Sequence, residues 1–531
     1  MAETDYIIVG SGSAGSVLAN RLTADGRHRV TLLEAGGSDQ RLYVQMPLGY
    51  GKLFYDPAVN WCYRTEPDPG LAGQRDFWPR GKILGGSSSI NAMVYIRGHQ
   101  ADYDEWGLHP GWGWDDCLAA YKAMEDTEAG GDAWRGTGGP LFVSENSGGL
   151  HPLVQTYIAA CGQAGLAHNR DFNGAVQDGA GTYQMTIRGA RRNSAARAFL
   201  RPAMRRPNLR VITRAMVTRV VMEGTRAVGV EYLANGARVM LRCNAEVILA
   251  GGAIGSPQLL QLSGIGPGAL LQGLGIGVVQ DNPHVGDHLS DHQGINYTWR
   301  MTVPTYNDIL RPWWGKAMVG AQYLLTGGGP LAKSINHAGG FFRTAPDLPR
   351  PNMQLYFQAF STLMPRGGER PVLSPDPFSG LSIGLSNCRP TSRGHIRIRS
   401  ADARQHPVIV ANAFSTDHDV AEMLAAVKFL RVIAAQPAFA PLVAEELRPG
   451  PGVLSDEALI EDFRARSGTV YHPSCTCRMG DVVDAGLRVK GVQGLRVCDA
   501  SAFPNLIAGN TNAPAMLMGW KGAERVLADA R

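Results

Sequence analysis

The stretch Tyr6-Ile7-Ile8-Val9-Gly10-Ser11-Gly12-Ser13-Ala14-Gly15 decides how the chain begins to fold. Four apolar residues followed by glycines spaced G-x-G-x-x-G read as a buried strand that turns into a helix. Gly10 permits the tight turn, Gly12 lets a pyrophosphate approach the backbone, and Gly15 lets helix and strand lie close together. Phosphate charge then meets the helix N-terminus, beside Ser13 and Ala14. The surroundings agree. Ala14, Val17, Leu18 and Leu22 recur at helical spacing, and Val30-Thr31-Leu32-Leu33 reads as a second buried strand. It ends in Glu34, 24 residues after Gly10 and followed by Ala35, where an acid would hold ribose hydroxyls. An acid there disfavours a ribose phosphate, so the expected ligand is FAD or NAD rather than NADP.

At 531 residues the chain exceeds what one hydrophobic core supports, so at least two large lobes are expected. Hydrophobic residues make up 44% and charged residues 18%, which excludes wholesale disorder. The net charge of +5 is small for this length. Arg191-Arg192, Arg205-Arg206 and Arg393 to Arg399 read as solvated faces or internal ion pairs, not as the basic stripe that a nucleic-acid surface needs. The eight cysteines are scattered, and Cys475-x-Cys477 lacks partners at zinc-ligand spacing. No metal is expected, and the thiols read as reduced, in a cytosol-like compartment. The first strand starts within about five residues, which leaves no room for a signal peptide. No stretch reaches the roughly 18 apolar residues of a membrane span. Peripheral contact at the inner membrane face stays open.

Residues 37 to 80 are rich in loops broken by prolines. Gly81-Lys82-Ile83-Leu84-Gly85-Gly86-Ser87-Ser88-Ser89-Ile90-Asn91 then offers a backbone that can hug a flat or anionic ligand. Its apolar flanks, including Met93 and Val94, favour a buried loop over a linker. Trp106, Trp112 and Trp114 read as core anchors. A helix is expected over Ser194 to Met204, then strands at Val211-Ile212-Thr213, Val217 to Val221 and Val228 to Tyr232. Ala245 to Ala250 is a further buried strand, running through Gly251-Gly252 into a helix that Gly264 ends. Residues 300 to 460 mix strand-like runs with a helix from Asp417 to Ala435, which fits an antiparallel sheet with helices. Trp61, Trp313, Trp314, Tyr356 and Phe357 are read as core packing before pocket lining. Leu495 to Asp499 reads as a strand and Ala513 to Leu527 as the closing helix.

No G-x-S-x-G, H-E-x-x-H or P-loop occurs. The candidate chemistry lies in Tyr471-His472-Pro473-Ser474-Cys475-Thr476-Cys477-Arg478-Met479-Gly480 and Gly509-Asn510-Thr511-Asn512-Ala513-Pro514. A neutral histidine is suited to take a hydroxyl proton near pH 7. An amide such as Asn512 can hold the same oxygen as negative charge develops.

The run from Gly81 to Asp104, the run from Gly252 to Gly266, the N-terminal glycines, the His472 segment and the Asn512 segment together resemble the motifs of the glucose–methanol–choline (GMC) flavoprotein oxidoreductases, in family order. The resemblance implies an α/β and α+β two-domain fold. A Rossmann-like FAD domain of glutathione-reductase type would comprise 1–145, 193–296 and 463–531. A substrate domain with an antiparallel sheet covered by helices would comprise 146–192 and 297–462. It implies hydride transfer from an alcohol carbon to flavin N5, with His472 as base and Asn512 as its partner. It further implies FAD contacts at Gly10, Gly12, Ser13, Ala14, Gly15, Glu34, Ala35, Gly85, Gly86, Ser87, Asn91, Met93, Val94, Val217, Ala250, Asp499, Ala500, Asn512 and Ala513. Some members attach FAD covalently through a histidine before the loop asparagine. Here that position is Ile90, so dissociable FAD is expected. Asp171 to Gly174, Tyr183 to Thr186 and Tyr471 to Gly480 look most like the L-sorbose dehydrogenase branch, with choline and aliphatic alcohol dehydrogenases close behind. The expected reaction oxidises an alcohol, polyol or sugar and passes electrons to a quinone-type acceptor. An oxidase using oxygen, an FAD-containing lyase and a protein carrying FAD structurally are the alternatives.

Overall fold

A computed structural model describes residues 4–146, 148–363 and 374–530. Five parallel strands form the first sheet, in the order Leu209–Thr213, Val30–Glu34, Tyr6–Val9, Glu246–Leu249, Leu495–Val497. Every residue of Tyr6–Val9 and Val30–Glu34 is buried, as a parallel sheet covered on both faces requires. The helix Ser13–Leu22 follows the first strand and packs on the closing helix Asn512–Asp529. An antiparallel meander of Ala215–Glu223, Arg226–Ala234 and Ala237–Arg242 lies between the third and fourth strands in sequence.

The second sheet is antiparallel and has seven strands. Its order is Val443–Arg448, Gln293–Met301, Gly380–Asn387, Met353–Gln358, Ala338–Phe342, Gly179–Thr182, with Gly468–Thr469 also paired to Gln293–Met301. Two large apolar cores result, one around each sheet. The boundary expected between 296 and 297 falls inside a strand, because pairing starts directly after His292. Gln293 lies opposite Thr469 and Gly294 opposite Gly468.

Several local expectations change. The helix expected over Ser194 to Met204 is a π-helical turn, Ala196–Leu200, followed by Arg201–Ala203. Arg192 is fully buried rather than solvated. Trp313 and Trp314 are neither core nor pocket residues: they stand exposed on the helix Trp313–Thr326. Trp106, Trp112, Trp114 and Phe357 are buried. All eight cysteines are free. None of the described helices is long and apolar enough to cross a membrane.

Glycine sets the spacing between the first strand and its helix. A Cβ on Gly15 would lie 1.9 Å from the Gly10 carbonyl oxygen, which belongs to backbone and cannot yield. Overpacking of this kind costs about 1–3 kcal/mol. Gly15→Ala is therefore expected to lower unfolding free energy by about that amount in urea titration. Gly273→Ala, with nothing within 4 Å of the added carbon, should change it by less than about 0.5 kcal/mol.

Candidate functional site

One cavity of about 700 Å³ is lined both by the turn after the first strand and by interior strands of the antiparallel sheet. At one end it is lined by Gly10, Gly12, Ser13, Ala14, Glu34, Ala35, Val217, Ala250, Asp499 and Ala500. Gly86, Ser87, Ile90, Asn91, Met93 and Val94 line its middle, and His472, Asn510 and Asn512 also face it. Gly15, Gly85 and Ala513 are not among the lining residues and act on the backbone. The Gly85 N–H donates to the Ser11 carbonyl at 3.0 Å, and a Cβ on Gly86 would lie 2.6 Å from Gly12 Cα. The serine loop thus lies directly against the dinucleotide-type turn.

Two helices begin at this turn without a side-chain cap: Ser13–Leu22 behind Gly12, and Asn512–Asp529 behind Thr511. They are tied by Ser13 Oγ donating to Asn512 Oδ1 at 2.7 Å. Two positive dipole ends with free N–H groups suit a pyrophosphate. Glu34 accepts from Ser11 N and Ser11 Oγ on one oxygen and from Gly36 N on the other. Burial pushes its pKa up while those donors act against the rise. Asp499 accepts from Gly252 N, Ser256 Oγ, Ser501 N and Ser501 Oγ, so it organises the loop at the end of its strand. The donor set fits an FAD. Ile90 packs with Val44, Leu53, Val59 and Ile83.

Asn91, in the serine loop, is oriented by Arg192, which as part of a basic pair reads as solvated or ion-paired rather than as a site residue. Arg192 Nη1 donates to Asn91 Oδ1 at 2.7 Å and to the Ser88 carbonyl, and its Nε donates to the Val44 carbonyl. Burial drops this guanidinium to about 9.

At the other end of the cavity the two paired strands bring His292 and His472 together, 180 residues apart in sequence, with Nδ1···Nδ1 at 2.9 Å. His292 Nε2 lies 2.8 Å from the Cys388 carbonyl, which only accepts, so Nε2 carries the proton. Burial lowers His292 to about 4, so it is neutral and its Nδ1 accepts from His472 Nδ1–H. His472 is held well below the ordinary histidine range by burial first, then by His292 and Arg80. Its Nε2 therefore presents a lone pair.

That lone pair faces Asn510 Nδ2 at 3.2 Å. The amide is oriented by a chain: Tyr356 OH donates to Gln354 Oε1, and Gln354 Nε2 donates to Asn510 Oδ1 at 3.1 Å. Asn512, expected beside His472, is turned instead to Ser13, because it already belongs to the closing helix. The neighbour of His472 is Asn510.

The His472 turn is strained and held. Tyr471 has φ +74° and its carbonyl accepts from Arg80 Nη2 at 2.6 Å. The His472 N–H donates to Asp291, and Thr469 bridges Asp291 and Asp76. Burial raises Asp291 to about 7 and Asp76 to about 6. The grouping with ligand-like spacing among the described residues is His284, His288 and Asp481. There the two imidazoles bond each other at 3.0 Å and Arg478 already holds Asp481.

Two family models, both described as GMC oxidoreductase, match residues 4–294 and 390–519. Choline dehydrogenase, mitochondrial, of Mus musculus is 42% identical over 98% of this chain and 89% of its own length. Alcohol dehydrogenase [acceptor] of Pseudomonas putida is 41% identical over 98% of this chain and 95% of its own. Among solved structures, pyridoxine 4-oxidase from Mesorbium loti superposes with a TM-score of 0.89 at 30% identity, covering 99% of both chains.

Removing His292 would leave both the Cys388 carbonyl and His472 Nδ1–H unpaired in a buried place, at about 1–3 kcal/mol for each lost partner. His292→Ala should therefore lower stability by about 2–6 kcal/mol in denaturant titration. An unchanged midpoint would mean that the two imidazoles do not bond.

Proposed function

The chain belongs to the GMC oxidoreductases, FAD-dependent enzymes that act on CH–OH donors, and from that premise we propose that His472 is the base and Asn510 the group that holds the alcohol oxygen. The observation that carries this reading is the lone pair of His472 Nε2 beside the Asn510 amide. An alcohol oxygen that faces both groups replaces their mutual bond: it accepts from Asn510 Nδ2 and donates its proton to His472 Nε2. Bound in the cavity, FAD supplies the acceptor for the carbinol hydride. The described parts of 1–145, 193–296 and 463–531 hold FAD, and those of 146–192 and 297–462 supply most of the substrate wall. Gly10, Gly12, Ser13, Ala14, Glu34, Ala35, Gly86, Ser87, Asn91, Met93, Val94, Val217, Ala250, Asp499, Ala500 and Asn512 contact FAD, while Gly15, Gly85 and Ala513 keep the backbone in place. With Ile90 packed in an apolar cluster, FAD is held without a covalent bond.

The substrate is a neutral alcohol. Among the described lining residues the carboxylates are Glu34, Asp76 and Asp499, each already engaged by N–H donors. Ile335, Asn336, Tyr356, Gln358 and Leu385 offer an apolar wall with amides and a hydroxyl, which suits an uncharged chain or polyol. The similarity to the alcohol dehydrogenase [acceptor] of Pseudomonas putida supports a separate electron acceptor, for which a quinone is the proposed class. A second Pseudomonas putida relative, 41% identical, is an oxygen-dependent choline dehydrogenase, which supports oxygen as the second reading.

Anaerobic mixing of the FAD-loaded protein with aliphatic and benzylic alcohols, L-sorbose, other polyols and choline tests this. A neutral alcohol should bleach the flavin band, which should stay bleached in air until a quinone is added. Return of colour in air with peroxide would select the oxidase, and bleaching by choline would overturn the substrate class. His472→Ala should slow reduction by about 10²–10⁴-fold. Asn510→Ala should cost about 10²-fold, while Asn512→Ala weakens FAD binding more than it slows reduction.

The pH dependence has a definite sign. A histidine whose pKa is depressed in the folded protein keeps its base form as pH falls. The rate of flavin reduction should therefore stay level as pH falls through 6.5. A half-loss centred at or above 6.5 would remove His472 as a buried neutral base.

A further inference from the structure

The helix Trp313–Thr326 turns its apolar side outward. Trp313 is 80% exposed, Trp314 55%, Met318 52%, Leu324 79% and Leu325 85%, whereas Gly315 and Val319 are the buried positions. Together with the exposed Ala317 and Ala321, these residues follow the three-and-four spacing of one helical face. Five of the large exposed apolar side chains of the described residues thus form a single stripe, where scattered ones would need no explanation.

The rim of this stripe is basic. Arg311 and Lys316 are exposed on the helix and its approach, and Trp313–Thr326 itself contains no acid. Tyr323 OH donates to the Ala190 carbonyl at 3.0 Å, which fixes the helix beside the hairpin carrying Arg188 and Arg191, both exposed. Arg197 donates to the Arg188 carbonyl and extends the cluster. Asp308, just before the helix, is already bonded to Thr305 N and Ser379 Oγ. Arg192 of the same hairpin is buried, and its Nε reaches the Val44 carbonyl, next in sequence to Leu42 and Tyr43, which are 62% and 47% exposed.

We propose that this face docks on an anionic lipid bilayer, with the helix Trp313–Thr326 lying in the interface plane. Trp and Leu side chains enter the headgroup–acyl boundary, and the arginines and Lys316 meet lipid phosphates. A second copy of the chain fits less well. An isologous contact through the same stripe would bring two basic rims together. Both exposed apolar segments also continue into the cavity wall. The helix leads through Pro330–Ala332 to Ile335 and Asn336, and Leu42–Gln45 leads to Tyr50 and Phe54. A short stretch of chain thus links the docking helix to residues that line the cavity. The proposal stands apart from the catalytic assignments.

The test uses the full-length, FAD-loaded protein sedimented with vesicles of phosphatidylcholine containing phosphatidylglycerol, and with vesicles of phosphatidylcholine alone. The wild type should bind the anionic vesicles, more weakly as salt rises. Trp313→Ser with Leu325→Ser should cut binding by about tenfold or more. Arg191→Glu with Lys316→Glu should remove the preference for phosphatidylglycerol. Leu108→Ser, at an exposed apolar residue elsewhere, should change nothing. FAD content and flavin reduction by a soluble alcohol serve as the fold control, and should match wild type in all three. No vesicle binding, or binding unchanged in the Trp313/Leu325 variant, overturns the proposal. So does a wild-type dimer without lipid that the same variant renders monomeric, which would assign the face to a second copy. Loss of flavin reduction in the wild type would instead strike the catalytic reading and leave the vesicle result standing.

Discussion

The centre of the molecule depends on one short strand pairing, Gln293 opposite Thr469 and Gly294 opposite Gly468. It joins a strand of the antiparallel sheet to the segment that turns toward the closing strand of the parallel sheet. Immediately outside the pairing stand His292 and His472, and their contact follows from it. Two imidazoles in a dry site would be costly if either nitrogen pair were left open. The chain of bonds avoids that cost by ending on a carbonyl. Because the Cys388 carbonyl can only accept, proton positions are set in order from His292 Nε2 to His472 Nδ1, and the free lone pair comes out at His472 Nε2. A surface histidine would have no such preference.

Electrostatics around the turn act in the same direction. Arg80 acts on Asp291 and Tyr471, and it offsets only part of the burial cost of Asp291, whose pKa is still pushed up. The same positive charge acts on His472 too, adding to burial in keeping the imidazole neutral. Thr469 and the His472 N–H hold Asp76 and Asp291 in position, so they serve as backbone anchors for a residue with positive φ at Tyr471. The strain is tolerated because three separate groups determine the turn.

Much of this was legible in the sequence, and the parts that were not share a cause. Tyr6–Val9, Val30–Glu34 and Glu246–Leu249 announce themselves because strands buried on both faces must be continuously apolar. The glycines of the first turn are legible because backbone contact excludes a side chain there. His292 is not, since its role arises from a pairing 180 residues long and leaves no local pattern. Arg192 looks like half of a solvated pair until the fold buries it against three oxygen acceptors. Trp313 and Trp314 fail for the opposite reason. Apolar residues at helical spacing define a face, and spacing alone says nothing of what that face meets.

The alternation of Asn510, Thr511 and Asn512 shows how narrow the margin is. Thr511 is the residue before the closing helix, so Asn510 still lies on the loop and Asn512 is already in the first turn. Across that change of backbone the two amides point to different partners: Asn510 to His472 and Gln354, Asn512 to Ser13. One tripeptide therefore serves both ends of the cavity, the polar pair at the antiparallel sheet and the helix termini suited to a pyrophosphate. Starting the helix two residues earlier would put Asn510 in the place that Asn512 now takes. The helix cannot slide, because Gly519 lies against Ala14, where a Cβ would come within 2.4 Å of the Ala14 carbonyl oxygen. Contact between the first and last helices of the chain thus fixes which asparagine meets the histidine.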